Sequence, residues 1–368
     1  MIKFVLSKLG YGLLVLWGVV TLVFFLFNLS PSDPARNLVG ESASEEVVQA
    51  IRKKLDLDLP IHHRYFLYLN DLSPISLYNR ADSSSRRFFI KERYSGFEIL
   101  PLGDHAIYLK KPYLKRSFLS DRSVSEILSD VMPGTILLAI CSIGGALLVG
   151  LLFGVVAALN KDTWIDRSLL FLSALGMAGP SFFVAILVAW IGAVLWREAI
   201  PLPFTDATLP GTGLNMTGSL HSVNAFSGEY LDLKNMILPL ITLMIRPLAV
   251  ITQLTRSSLL DVLGQDFIRT AYAKGLSVRR IVLKHALRNA LNPVVTAVSG
   301  WFASLLAGAV FVEFVFGWKG LGQELFNAIE KQDLPVVMGG VITIAFAFVM
   351  ISILVDLIYG WLDPRIRS

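Results

Sequence analysis

Six stretches of this chain are apolar over the length of a membrane crossing: about Leu9–Leu29, Pro133–Leu159, Ser168–Trp196, Met236–Thr255, Val294–Phe316 and Gly339–Leu362. A bilayer core about 30 Å thick needs roughly 20 residues of α-helix. None of the stretches alternates with period two, which argues against a transmembrane β-barrel. The pattern predicts an all-α integral membrane protein with six transmembrane helices. Pro180 predicts a kink in the third. The fourth is the weakest, because Arg246 and Pro247 sit in its middle. Gly144-Gly145 and Gly150-x-x-x-Gly154 in the second mark helix packing.

The polar segments between these runs divide the chain into a first helix (1–30), an extracytoplasmic insertion (31–130) and a five-helix core (131–368). Ser30-Pro31-Ser32-Asp33-Pro34 stops the first helix. Ser42 with Glu45 resembles a capping box ahead of a short helix to about Leu55. Pro60 starts another, with Ile61, Tyr65, Leu69 and Leu72 on one stripe. Residues 73–120 are mixed in pattern, with a hairpin over Phe97–Leu109 turning at Gly103-Asp104. Residues 198–235, rich in Gly, Ser and Thr, form a second external loop.

One polar break differs from the others. From Arg256 to Pro293 the chain carries seven Lys or Arg against two Asp. A helix continues from the fourth run through Thr270 to Lys274, and Gly275 closes it at the C′ position. Ser277 caps the next helix. At 100° per residue, Arg280, Lys284 and Arg288 share one face with His285 and Asn289 beside them. Val282, Leu283, Ala286, Leu287, Ala290 and Leu291 fill the other, with Arg279 and Ile281 as exceptions. The loop thus has an apolar face turned to the bundle and a basic face turned outward. On the residues alone, it either docks on a protein or lies on anionic lipid.

Only 17% of the 368 residues are charged and 54% are apolar, as a membrane protein requires. The net charge of +5 matters through its placement, and it is no nucleic-acid footprint. Lys3, Lys8, Lys161, Arg167, the seven of the basic loop, Arg365 and Arg367 lie on one side. Arg197, Lys234, Lys319 and Lys331 lie on the other. Thirteen against four places both termini and the basic loop in the cytoplasm. The first run is too long for a cleaved signal peptide and no A-x-A site follows, so it reads as a signal-anchor helix.

No chemistry of the chain's own is visible. It lacks a P-loop, an H-E-x-x-H zinc motif and a G-x-S-x-G nucleophile. The single cysteine, Cys141, permits neither an internal disulfide nor a Cys-based zinc site. No catalytic residue, metal ligand or cofactor site is expected. Two charges lie within the runs. Arg246 costs at least about 2.5–3.5 kcal/mol at mid-membrane and needs a partner or a water-filled path. It either contacts substrate carboxylate or a backbone carbonyl in the pathway, or pairs structurally with Glu313 or Asp356, or sits near the outer interface at the end of a short fourth helix. Glu313, near the outer end of the fifth run, either lines the path or caps a loop.

Ala271-Tyr272-Ala273-Lys274-Gly275-Leu276-Ser277, followed by His285-Ala286-Leu287-Arg288-Asn289-Ala290 and Pro293, resembles the "EAA" loop of ABC-importer permeases of the dipeptide/oligopeptide/nickel family. Similar matches are Leu29–Pro34, Leu57–Tyr68, Pro180-Ser181-Phe182, Leu254–Ser258, Glu313 with Phe316 to Gly322, and Asp356–Tyr359 with Leu362–Arg367. The first and last of these resemble the B-type subunit. The resemblance implies a type I permease fold in the inner membrane. It implies a homologous second permease, two ATP-binding cassette subunits carrying ATP and Mg, an extracytoplasmic solute-binding protein and surrounding lipid. It makes Ala271, Gly275, Arg280, Lys284, His285, Arg288 and Asn289 the ATPase-coupling residues of loop 256–293. The chain departs from the broad pattern at Arg269-Thr270-Ala271, at Arg288, at Lys319 and in its longer 73–120 segment. Short peptides are the implied substrate, with nickel or another solute as the alternative. A self-sufficient channel or ion-coupled carrier is the reading from another class, and it lacks the mid-membrane acidic groups expected of it.

Overall fold

The computed structural model describes residues 2–28, 34–40, 43–82, 88–91, 94–201, 208–224 and 228–362. The stop signal at 29–33, Ser42 and the ending 363–367 lie outside them. In chain order the elements are α1 (Ile2–Asn28), α2 (Pro34–Val39), α3 (Glu45–Lys54), α4 (Ile61–Leu72), β1 (Ile75–Asn79), β2 (Gly96–Leu102) and β3 (His105–Lys110). There follow α5 (Val124–Leu159), α6 (Trp164–Ala178), α7 (Ser181–Trp190) with a π-helical turn Ile191–Leu195, and two short hairpins, β4 (Ile200–Pro201) with β5 (Thr208–Leu209) and β6 (His221–Asn224) with β7 (Gly228–Leu231). The remainder is α8 (Lys234–Leu263), α9 (Asp266–Ala273), α10 (Val278–Arg280), a π-helical segment Ile281–Ala286, α11 (Leu287–Ala290), α12 (Asn292–Phe316), α13 (Leu321–Glu330) and α14 (Leu334–Leu362).

Among the described residues, four helices are long and apolar enough to cross a membrane: Leu6–Asn28, Val124–Leu159, Lys234–Leu263 and Leu334–Val355. The third expected span is not one kinked rod. α6 and α7 meet at 112°, a broken span or a re-entrant loop. Proline has no N–H and forces its predecessor out of the helical region. Gly179 is accordingly extended at φ −85°, ψ 146°, and α7 starts afresh after Pro180. The fourth span, expected to be the weakest, is an unbroken 30-residue helix despite Pro239 and Pro247. The fifth expected run lies in α12, a continuous 25-residue helix. Three small sheets qualify the all-α expectation.

The chain divides into two compact units. The first comprises 1–13, 131–326 and 346–368. Its core joins Leu138, Ala189, Leu238, Leu243, Val312 and Phe316. α5 packs on α8 through its glycines: a Cβ on Gly154 would lie 2.4 Å from Thr255 Cβ, and one on Gly150 2.8 Å from Ile251. Gly145 meets Met244 in the same way, whereas Gly144 faces open space.

The second unit comprises 14–130 and 327–345. α3 starts after Ser44, whose side chain makes no cap bond. α4 starts after Pro60 and lays Ile61, Tyr65, Leu69 and Leu72 against Val20 and Phe24. The expected hairpin forms, β2 pairing with β3 around Gly103-Asp104, and β1 adds to the other side of β3. Period-two alternation turns Ala106, Tyr108 and Lys110 to one face. There Phe89 stacks on Tyr108 at 3.9 Å. Lys110, 4% exposed, donates to the Asp71 carbonyl with its Nζ 5.4 Å from the Tyr94 ring centre.

Candidate functional site

The basic loop is built on a buried seat. Ile268, Ala271, Ile281, Val282, Ala286 and Ala290 pack against Ala158 at the end of α5 and Leu259 and Val262 at the end of α8. α8 stops at Leu263, so α9 is a separate helix and not the continuation expected from the fourth span. At its end the Gly275 amide donates to the Tyr272 carbonyl at 2.9 Å, and the Leu276 amide to Ala271 at 3.3 Å. These are the two bonds of a Schellman closure, with Gly275 left-handed at φ 72° and Leu276 packed back on the core. Ser277 occupies the N-cap of α10, but its hydroxyl makes no cap bond.

The outward side corrects the helical wheel. Ile281, an exception at 100° per residue, is wholly buried, and Leu283, assigned to the inner face, is 56% exposed. The π-helical turn over Ile281–Ala286 is the reason. Its i→i+5 closure puts Ile281 and Ala286 on one side and rotates Leu283 out. Of the candidate coupling residues, Ala271 is buried as part of the seat. Gly275, Arg280, Lys284, Arg288 and Asn289 are exposed, and His285 is half-buried. Phe267, Tyr272 and Val278 are exposed apolar neighbours on the same loop.

At the foot of the loop is a pair that sequence reading missed. Arg256 binds Asp166 through two parallel bonds, Nε–Oδ1 at 2.5 Å and Nη2–Oδ2 at 2.6 Å, with the Asp166 side chain 2% exposed. A separation of 90 positions leaves no local signal. The family-like Leu254–Ser258 stretch marked Arg256 but gave it no partner.

Arg246 and Glu313 do not meet. Arg246 donates from Nη2 to the Gly179 carbonyl at 2.9 Å, at the break between α6 and α7. Its Nε is buried without an acceptor, and among the described residues Arg246 forms no ion pair. The Asp356 side chain lies outside the described set. Glu313 is fully buried and accepts from the amides of Gly322 at 2.6 Å and Gln323 at 3.4 Å, which caps α13. A Cβ on Gly320 would lie 2.4 Å from the Glu313 carboxyl carbon, so only glycine admits the carboxylate. Beside it, Thr135 accepts from Leu321 N and Trp318 Nε1 donates to the Gly134 carbonyl, tying this corner to α5.

Comparison with known proteins agrees with this architecture. Residues 150–368 match the family described as binding-protein-dependent transport system inner membrane component, and residues 1–84 match the membrane component N-terminal family of the same systems. A dipeptide transport system permease protein of Alkalihalophilus pseudofirmus is 31% identical over 100% of both chains. One from Escherichia coli is 32% identical over 100% of this chain and 99% of its own. A di/tripeptide transport system permease protein of Pseudomonas aeruginosa is 32% identical with the same coverage. With one family model matching more than half of the chain and relatives running its full length, the chain belongs to the inner-membrane permeases of binding-protein-dependent ABC importers, in the dipeptide/oligopeptide branch.

Proposed function

We propose that this chain forms half of the membrane pathway of an ATP-driven importer of di- or oligopeptides. Membership of the family implies partner ATPases, a partner permease and a soluble binding protein. In this reading the partner permease is homologous and two ATPase subunits carry the ATP and Mg, while the chain itself holds no nucleotide. Six helices span the membrane, with α6 and α7 counted as one broken crossing and α12 as another. Both termini and loop 256–293 are cytoplasmic, and segment 31–130 is outside. The names of the full-length relatives support peptides as the substrate.

The observation that carries the coupling role is the two-sided basic loop. Its inner side is locked onto the ends of α5 and α8, and its outer side offers Arg280, Lys284 and Arg288 among exposed Phe267, Tyr272, Val278 and Leu283. A partner that moves this surface moves two spans directly. Gly275 sets the angle between the two halves of the loop. Nothing lies within 4 Å of its missing Cβ, so a substitution there acts through backbone strain and not through crowding.

Gly275→Val is expected to lower peptide uptake and peptide-stimulated ATPase about tenfold in the reconstituted complex, with subunit association intact. Gly275→Asn, which tolerates the left-handed conformation, should keep most of both. Wild-type uptake and stimulation in Gly275→Val would overturn the coupling reading.

A further inference from the structure

Arg246 is the thirteenth residue of the 30-residue α8, roughly 18 Å along the helix from its start at about 1.5 Å per residue. It lies deep in a span, half-buried, with one of its five donors on the Gly179 carbonyl and a buried Nε that has no acceptor. A single neutral carbonyl does not balance a guanidinium charge in a low-dielectric setting. Of the buried carboxylates of the same unit, Asp166 binds Arg256 through both oxygens and Glu313 holds the start of α13 through Oε2, and neither pairs with Arg246.

The surroundings favour an anion. Two residues beyond the carbonyl that Arg246 holds, the ten-residue helix α7 begins, with Pro180 at its N-cap and no side-chain cap bond. Its first-turn amides add to the positive field at the break. The break is also open: Pro180 is exposed, as are Met177, Phe182 and Phe183. Exposed apolar side chains flanking the carbonyl that Arg246 holds suit a ligand with one charged end and variable apolar substituents.

We propose that Arg246 and the first turn of α7 form a carboxylate subsite in the translocation path, which takes the C-terminal carboxylate of a short peptide in transit. This rests on the peptide reading above. Every linear peptide carries that group whatever its side chains, so one cation can serve a mixed set of substrates. The arginine fork matches a carboxylate through two parallel hydrogen bonds, which a lysine cannot reproduce.

The test is binding of alanyl-phenylalanine and of its C-terminal amide to the assembled importer, freed of its binding protein and held with ATP and vanadate. The wild type should bind the free acid at least tenfold more tightly than the amide. Arg246→Gln should bind both weakly and alike, and Arg246→Lys should fall between. Equal binding of acid and amide by the wild type overturns the subsite without reference to any variant. So does a preference for the acid that survives in Arg246→Gln. A complex that binds neither form also overturns it, and uptake of the same peptide in vesicles then shows which idea failed. Uptake that persists leaves the peptide reading standing, and its absence removes both.

Discussion

Glu313 and Arg246 are both charged side chains on long helices of the same unit, yet their surroundings treat them differently. Glu313 is closed in. Backbone amides of the next helix take its Oε2 while Oε1 is buried without a partner, and the chain approaches so closely at Gly320 and Gly322 that no side chain would fit. Arg246 is left partly open beside a broken span, with one carbonyl for company. A charge enclosed by neighbouring backbone, with no open side for a ligand, is a piece of architecture. A charge with donors to spare, beside an exposed turn, is available to a ligand. Each keeps one buried atom without a partner, Glu313 Oε1 and Arg246 Nε, so it is enclosure that separates the two cases: Glu313 is wholly buried and Arg246 only half.

Removing the enclosed charge should have the largest effect on stability. Glu313→Ala strands two amides at the start of α13, one of them buried, and each such loss costs about 1–3 kcal/mol. The detergent-solubilised chain should melt several degrees lower, and an unchanged melting temperature would break the comparison. Lys110 offers an intermediate case, a buried cation held by a carbonyl in the other unit. Burial lowers its pKa from 10.5 to about 8, against the opposing charge of Asp71. The folded chain therefore gives up this proton at lower pH than the unfolded chain does, so stability should rise with pH from about 8 toward 10. Each tenfold change in proton affinity is worth about 1.4 kcal/mol, which caps the gain at about 3 kcal/mol. Above pH 10 the buried Tyr68 phenol, raised by its own desolvation, works the other way. Near-ultraviolet melting curves at several pH values should show this rise, and Lys110→Met should flatten it. Arg246→Gln should have the smallest effect, below about 1 kcal/mol, because the amide can still donate to the Gly179 carbonyl. A loss as large as that of Glu313→Ala would make Arg246 architecture too.

The long helices were legible because each is a contiguous apolar stretch, and the hairpin of β2 and β3 was legible from its turn residues. Pro180 announced a break, but the 112° angle follows from packing that no local pattern records. The loop's composition and Gly275 were readable, whereas its inner face was not. A fixed 100° wheel cannot accommodate the extra residue in Ile281–Ala286, and Ile281 and Leu283 exchanged places as a result. The Asp166–Arg256 pair joins segments remote in sequence. The cap made by Glu313 did leave a trace. A carboxylate followed by Gly320-x-Gly322 indicates that something must come close to the backbone there.

The wide turn at Ile281–Ala286 has a consequence for how such a subunit can diversify. An α-helix advances about 100° per residue, so one residue taken up in a wider turn sets the facing of the chain before it apart from the facing after it. Upstream, that fixes how Asp266–Ala273 and Val278–Arg280 face. Downstream, it fixes how Asn292–Phe316 is seated. The two settings differ by a fixed offset, like two keys cut at different angles on one shaft. The exposed Arg280 and Lys284 can then change in kind while the buried Ile281 and Ala286 keep the span seated.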